Sequence, residues 1–442
     1  MEAIELFGSG KCNLNCSYCY ISKIPCMDSI QNKVIEYISN GSFIDFLGEK
    51  ANDITSLSIW GGEPSLSLKA FSDNINKYFD RLPKLNKISF STNFIELEPI
   101  LYYINSIPKN KNLNLTIQIS LDGPEEITDE NRNKNTYNTV INNLDILSIK
   151  LNEINIGNNK LLIRNKSTLT RKNLRYFKDD ISRVSLFFNF FDSLSKKYSL
   201  INTNKNVSYS FLTQVNLESG MKNYTQEDGI LFSYLCKEVD RLINQDICNG
   251  IKRKVPFYLF QYEGAIRKMF DFSREIYNKH KMFTCSAGDS CFGLGLDGKF
   301  HICHRGFFFE DEEYLKTVKS SINCDDSYNK ILNYANKFIG TNDDFPRISY
   351  VSGNYHNYSK FKINYGLAVI KELVEAGLIN DIYKEYNMAY LLALFVNIGM
   401  SCPLDNIFDN GNIHLLSLGT YKFFGNGAFE TILGRVCKSY RY

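Results

Sequence analysis

Gly8-Ser9-Gly10-Lys11-Cys12-Asn13-Leu14-Asn15-Cys16-Ser17-Tyr18-Cys19-Tyr20 places three cysteines in the order Cys-x-x-x-Cys-x-x-Cys, and the rest of the chain is read outward from it. Three thiolates on one short loop can hold three irons of a cubane iron–sulfur cluster, whereas four close its protein ligation. A loop with three cysteines therefore leaves one iron open. Structural zinc is the plainer use of Cys-x-x-Cys elements, but it needs a fourth ligand. None follows at zinc-finger spacing, the nearest candidate being Cys26 beyond Pro25.

Downstream, the apolar stretch Ile54 to Trp60 runs into Gly61-Gly62-Glu63-Pro64, a strand-to-helix connection whose two glycines let backbone approach a ligand closely. Ile88 to Phe90 predict a further strand ending in Ser91-Thr92-Asn93. Leu113, Leu115, Ile117 and Ile119 alternate with polar residues in the next strand, which terminates in Ser120-Leu121-Asp122-Gly123-Pro124, with Arg132 shortly after. Polar groups thus gather at the carboxyl ends of consecutive strands, where α/β folds place ligands.

The cysteine loop, with Tyr18 before its last cysteine, and the GGEP and SLDGP segments together resemble the radical S-adenosylmethionine (SAM) superfamily, in the branch that modifies peptides and proteins. The resemblance implies that Cys12, Cys16 and Cys19 hold a 4Fe-4S cluster whose open iron is chelated by the amino and carboxylate groups of SAM. It implies that the backbone of Gly61, Gly62 and Pro64, and Glu63 itself, accept hydrogen bonds from the SAM ammonium. Ser91 and Asn93 would face the ribose, Ser120 and Arg132 would hold the carboxylate, and Tyr18 and Asp122 belong to the same site.

Up to about Glu218 short β-rich runs, including Leu161 to Ile163, Val184 to Phe190 and Val207 to Leu212, alternate with helical stretches. That pattern predicts a parallel α/β sheet. With the resemblance it becomes a partial (β/α)6 TIM-type barrel over residues 1–218, open on one side. Residues 219–280 read as a helical bridge: Thr225-Gln226-Glu227-Asp228 starts like a capping box, and Ile230, Leu231, Tyr234, Leu235, Val239 and Leu242 give it an apolar face.

Beyond it lies a second cysteine group, Cys285, Cys291 and Cys303, with Asp297-Gly298 as a hairpin turn between the last two. The spacing resembles the start of SPASM and twitch domains, and residues 281–442 are read as a twitch-like domain with a helical C-terminal region. That implies one auxiliary 4Fe-4S cluster, held by Cys285, Cys291, Cys303 and a later ligand. Cys402, before Pro403, is the expected one; Cys324, Cys437 or a group of the substrate are alternatives. His304 stands where sulfatase-maturating enzymes carry an Asp thought to deprotonate the substrate radical; it could do proton chemistry or tune the cluster.

The 442 residues carry a net charge of +3, which offers no broad basic field for nucleic acid. Twelve cysteines in a chain of this length, with no signal peptide read at its start, suggest metal binding in a reducing cytoplasm. The run Leu391 to Met400 is too short to span a bilayer, so no membrane association is expected. The expected partners are a peptide or protein substrate and a flavodoxin- or ferredoxin-type electron donor. Oxidative modification of that substrate, giving a crosslink, thioether or carbonyl, is the leading expectation. A small-molecule dehydrogenase or epimerase and a non-catalytic electron-transfer protein are the others.

Overall fold

The computed structural model describes residues 2–19, 21, 30–211, 215–217, 291–296, 298 and 300–301, with scattered helical positions between 231 and 251. Six strands follow one another: β1 (Ala3–Ser9), β2 (Ser56–Gly61), β3 (Lys87–Thr92), β4 (Asn114–Ser120), β5 (Lys160–Leu169) and β6 (Val207–Ser210). Each pairs in parallel with its predecessor. A short β7 (Val215–Leu217) pairs with β5, and β8 (Cys291–Leu294) and β9 (Phe300–His301) extend the sheet beyond β1.

Because strand order from β1 to β6 follows sequence order, every crossover steps the same way, and right-handed crossovers then put all the helices on one face. This is the α/β architecture of a partial (β/α) barrel. The helices are α1 (Gln31–Asn40), α2 (Ser42–Leu47), α3 (Ser65–Asp73), α4 (Ile75–Arg81), α5 (Glu98–Ser106), α6 (Glu125–Asn131), α7 (Thr136–Lys150), α8 (Arg171–Asp179) and α9 (Ser182–Ile201).

Strand alternation separates the faces. Ile4 and Leu6, Leu57 and Ile59, Ile88 and Phe90, Leu115, Ile117 and Ile119, and Leu161 and Ile163 are all buried and form the core under the helices. The opposite parity carries polar rows beside the apolar Phe7, Trp60 and Leu162: Glu5, Ser58, Ser89 and Thr116 share one row of the ladder, and Ser91, Gln118, Arg164 and Ser210 share another. A sheet with a dry outer face and polar rows on its inner face has a ligand-facing side built into its sequence period.

Val184 to Phe190 does not form the expected β-rich run but lies inside α9. Val184, Phe187, Phe188, Phe191, Leu194 and Tyr198 recur at helical spacing and are buried, while Leu186 between them is 64% exposed. Aromatic and β-branched density suggests a strand; the 3.6-residue period decides otherwise. Phe177, Phe187, Phe188 and Phe191 meet edge-to-face in the packing of α8 against α9.

The expected hairpin around Gly298 is present, with Leu294 opposite Phe300 and Gly293 opposite His301, and Gly298 adopts a left-handed φ of 80°. It is continuous with the barrel sheet, since β8 pairs in parallel with β1. In the bridge, Leu231, Leu235, Val239 and Leu242 are buried as expected, whereas Tyr234 is exposed. The helical C-terminal region expected after the hairpin lies outside the described residues. Among the described residues, no helix is long and apolar enough to cross a membrane.

Candidate active site at the carboxyl end of the sheet

The loop that carries Cys12, Cys16 and Cys19 leaves the carboxyl end of β1 and is held along its length by backbone-directed hydrogen bonds. Buried Gln31, at the start of α1, accepts at Oε1 from the N–H groups of Gly10 (2.7 Å) and Lys11 (3.2 Å), and its amide nitrogen donates to Ser67 Oγ (3.1 Å). From the other side Gly62 N–H donates to the Ser9 carbonyl and Glu63 N–H to the Lys11 carbonyl, both at 2.7 Å. Further along, Ser17 N–H donates to the Asn131 carbonyl and Asn15 N–H to Asn133 Oδ1, each at 2.9 Å. A loop with few apolar side chains is thereby fixed by its neighbours' polar groups.

The glycines of the GGEP turn explain how that approach is possible. A Cβ at Gly62 would stand 2.3 Å from the Lys11 carbonyl oxygen, and one at Gly61, whose φ is 142°, would stand 2.5 Å from the Ser9 carbonyl oxygen. The sequence leads one to expect that these glycines admit a ligand; in the structure they admit the cysteine loop's own backbone.

Glu63 is buried and spans two turns. Its carboxylate accepts from Asn93 N–H at 2.6 Å and from Ser65 N–H at 2.9 Å, so it joins the turn after β2 to the turn after β3. Burial pushes the Glu63 carboxyl above its ordinary range, against the lowering effect of those backbone donors. Glu63→Gln is expected to cost about 1–3 kcal/mol, because at least one buried N–H then faces an amide donor. A carboxyl with a raised folded-state value contributes stability below its unfolded value and loses it as pH rises through the folded one. The gap between wild type and Glu63→Gln should therefore narrow on raising the pH above the ordinary carboxylate range, read by urea unfolding at each pH; a gap that widens contradicts the assignment.

Asn93 extends this chain of contacts to sulfur: its side-chain amide donates to Asn13 Oδ1 (2.6 Å) and lies 3.7 Å from Cys12 Sγ. The following residue, fully buried Phe94, takes a φ of 63°, uncommon for an aromatic residue, which turns the chain sharply after Asn93.

Across the loop, Asp122, Arg132 and Tyr18 form a buried polar group against Cys16. Arg132 donates through Nε to Asp122 Oδ2 (3.0 Å) and through a terminal nitrogen to Oδ1 (3.1 Å), while its other terminal nitrogen lies 3.8 Å from Cys16 Sγ. Tyr18 OH donates to Asp122 (3.0 Å), its ring lies 5.5 Å from the guanidinium, and Thr168 N–H donates to Asp122 Oδ1 (2.9 Å). Burial opposes charge on Arg132, but the adjacent Asp122 carboxylate outweighs it and raises its affinity for the proton. Arg132, expected to hold a ligand carboxylate, is thus already paired with Asp122 and directed at a cysteine.

Burial pushes the Cys16 thiol up to about 12, with Arg132 pulling the other way; the Cys12 thiol, on a residue that reaches the surface, is shifted in the same direction by the protein packed around it. Both Cys12 and Cys16 are further raised by neighbouring cysteines of the loop, and thiolates held this close together need a cation to compensate them. Sulfur atoms that already receive hydrogen bonds from Asn93, Leu14 N–H (3.5 Å) and Arg132 fit an anionic, metal-bound state. Among the described residues no three His, Cys, Asp or Glu side chains converge around a single ion position. A cubane distributes its ligands over separate irons and does not require that convergence.

Ser91 and Ser120 lie half-buried on the inner face, Ser91 accepting from the Gln118 side-chain amide at 2.9 Å. Pro64 caps the turn as the residue before α3. Cys291 opens β8 beside Ala3, at the amino end of β1, about 20 Å along the strand from the end that carries Cys12. Cys285, Cys303, Cys402 and His304 lie outside the described residues. Gln31, Asn131 and Thr168 are site residues that sequence reasoning misses; each acts through a backbone or buried polar contact that no motif spacing announces.

No protein-family model matches the chain, and no curated protein is significantly similar to it. Several solved structures are similar to it; among them, a histidine-tagged anSMEcpe with bound AdoMet matches over 70% of this chain and 76% of that one, with 17% identity and a TM-score of 0.43. A likeness at that level carries no weight for function, which rests on the site itself.

Proposed function

We propose that this chain is a radical SAM enzyme that acts on a peptide or protein side chain. The observation that supports it most is the Cys-x-x-x-Cys-x-x-Cys loop at the carboxyl end of β1, clamped by the GGEP turn and with Asn93 and Arg132 directed at its sulfurs. Cys12, Cys16 and Cys19 would hold the 4Fe-4S cluster, and the half-buried Ser91 and Ser120 on the inner face are the groups offered to SAM. When bound, such a cluster supplies the electron that cleaves SAM to methionine and a 5′-deoxyadenosyl radical.

The protein's own residues set the conditions for that chemistry. Arg132 and Asn93 donate to two of the sulfurs, and the Arg132 guanidinium neutralises part of their negative charge. Gln31, Gly62 and Glu63 fix the loop's backbone against the sheet, so that three ligands are preorganised on a rigid strand end. Asp122 keeps Arg132 charged and oriented. The oxidative outcome and the auxiliary cluster follow from the sequence resemblance of Cys285, Cys291, Cys303 and Cys402, together with His304, and belong to the proposal.

The test is anaerobic reconstitution of the full chain with iron and sulfide, followed by reduction and electron paramagnetic resonance with and without SAM. A reduced-cluster signal that changes shape on adding SAM, and is lost in each of Cys12→Ser, Cys16→Ser and Cys19→Ser, is the expected result. A signal indifferent to SAM contradicts it.

A further inference from the structure

We infer that the inner face of the sheet carries an anion site centred on Arg164, which takes a carboxylate or phosphate group of a bound ligand. Arg164 lies on β5 between Gln118 of β4 and Ser210 of β6 in the ladder register. Its parity is opposite to that of buried Leu161 and Ile163, so it faces the side without helices. The guanidinium is half-buried, and its Nε is shielded from water with no hydrogen-bond partner among the described residues.

An arginine stays charged at any working pH, and a desolvated charge without a partner is costly. Its neighbours in register supply no negative charge: Gln118, whose side-chain N–H donates to Ser91, and Ser210 are both neutral. Two residues along β5 the same face presents a second cation, Lys166, level with Ser120. Arg132, the other arginine of the site, differs in being bidentate to Asp122. Buried Arg132 is therefore internally paired, and half-buried Arg164 faces the helix-free side of the sheet, below the level of Ser120. The fork geometry of a guanidinium suits a planar carboxylate or a phosphate. This geometry is independent of whether the proposed cluster binds.

The test is a titration of the full chain, labelled at arginine nitrogen, with inorganic phosphate and with acetate at constant ionic strength. The Nε–H resonance absent from Arg164→Met is expected to move and saturate, and both anions should bind about tenfold to a hundredfold more weakly to Arg164→Met and to Arg164→Gln. Thermal stabilisation of the wild type by phosphate over chloride provides a readout that does not depend on any variant folding. A second arm distinguishes the source of the anion: weaker binding of SAM but unchanged binding of 5′-methylthioadenosine in Arg164→Gln assigns the site to the SAM carboxylate. Equal binding of SAM by wild type and variant, with phosphate weakened, assigns it to another ligand. A stationary Nε–H resonance, with no stabilisation by phosphate, overturns the proposal.

Discussion

Arg132→Ala is expected to destabilise the fold by about 3–5 kcal/mol, the usual cost of removing one partner from a buried ion pair. The side chains of Arg132 and Asp122 are 6% and 0% exposed, so the abandoned carboxylate cannot be rescued by water. Among the described residues it would keep Thr168 N–H and Tyr18 OH as donors. Asp122→Asn should be similarly damaging, because an amide in that position presents two donors toward Arg132. The double variant Asp122→Leu/Arg132→Met, which leaves no buried charge, should lie closer to wild type than either single change. Urea unfolding reads all four proteins. Single variants within about 1 kcal/mol of wild type would show that the pair is not desolvated as described. Arg132→Ala should also lower iron retention by the reconstituted chain, since Cys16 Sγ loses its donor.

Gly62→Ala is expected to disable the cysteine loop. The added methyl would stand 2.3 Å from the Lys11 carbonyl oxygen and 2.7 Å from its carbon, and both atoms are backbone, so no flexible side chain can yield. Relief requires the loop to move away from the turn, breaking the hydrogen bond from Glu63 N–H to Lys11 and shifting Cys12, whose nitrogen is 3.4 Å from the same methyl. Overpacking of this kind costs about 1–3 kcal/mol, and the larger effect falls on the ligand geometry. Gly48→Ala is the control: its φ of 53° strains an alanine, but a Cβ there meets nothing within 4 Å. The expected result is loss of bound iron in Gly62→Ala with iron retained in Gly48→Ala. Full iron in Gly62→Ala would mean that the loop is not fixed by the turn.

Much of this site is legible in sequence because its elements are spaced by chemistry. The three cysteines, the glycine pair and the polar strand ends are local patterns, and they fall at the carboxyl ends of β1 to β4 as the alternation predicts. Roles that depend on partners are not legible. Arg132 reads as a ligand-binding cation until Asp122, ten residues earlier, is seen to claim it across the turn. Glu63 reads as an acceptor for a ligand, yet its oxygens receive Asn93 and Ser65 N–H groups. Gln31 carries no motif; it matters because α1 begins where its amide meets the loop. Part of α9 reads as a strand because Phe and Val density outweighs a period that only burial makes plain.

The most direct measurement is 5′-deoxyadenosine formation by the anaerobically reconstituted full chain under strong reduction with SAM, beside Cys16→Ser prepared in the same way. 5′-Deoxyadenosine and methionine are expected from the wild type and neither from the variant. An iron-loaded wild type that leaves SAM intact, or a Cys16→Ser protein that forms 5′-deoxyadenosine equally well, would contradict this expectation.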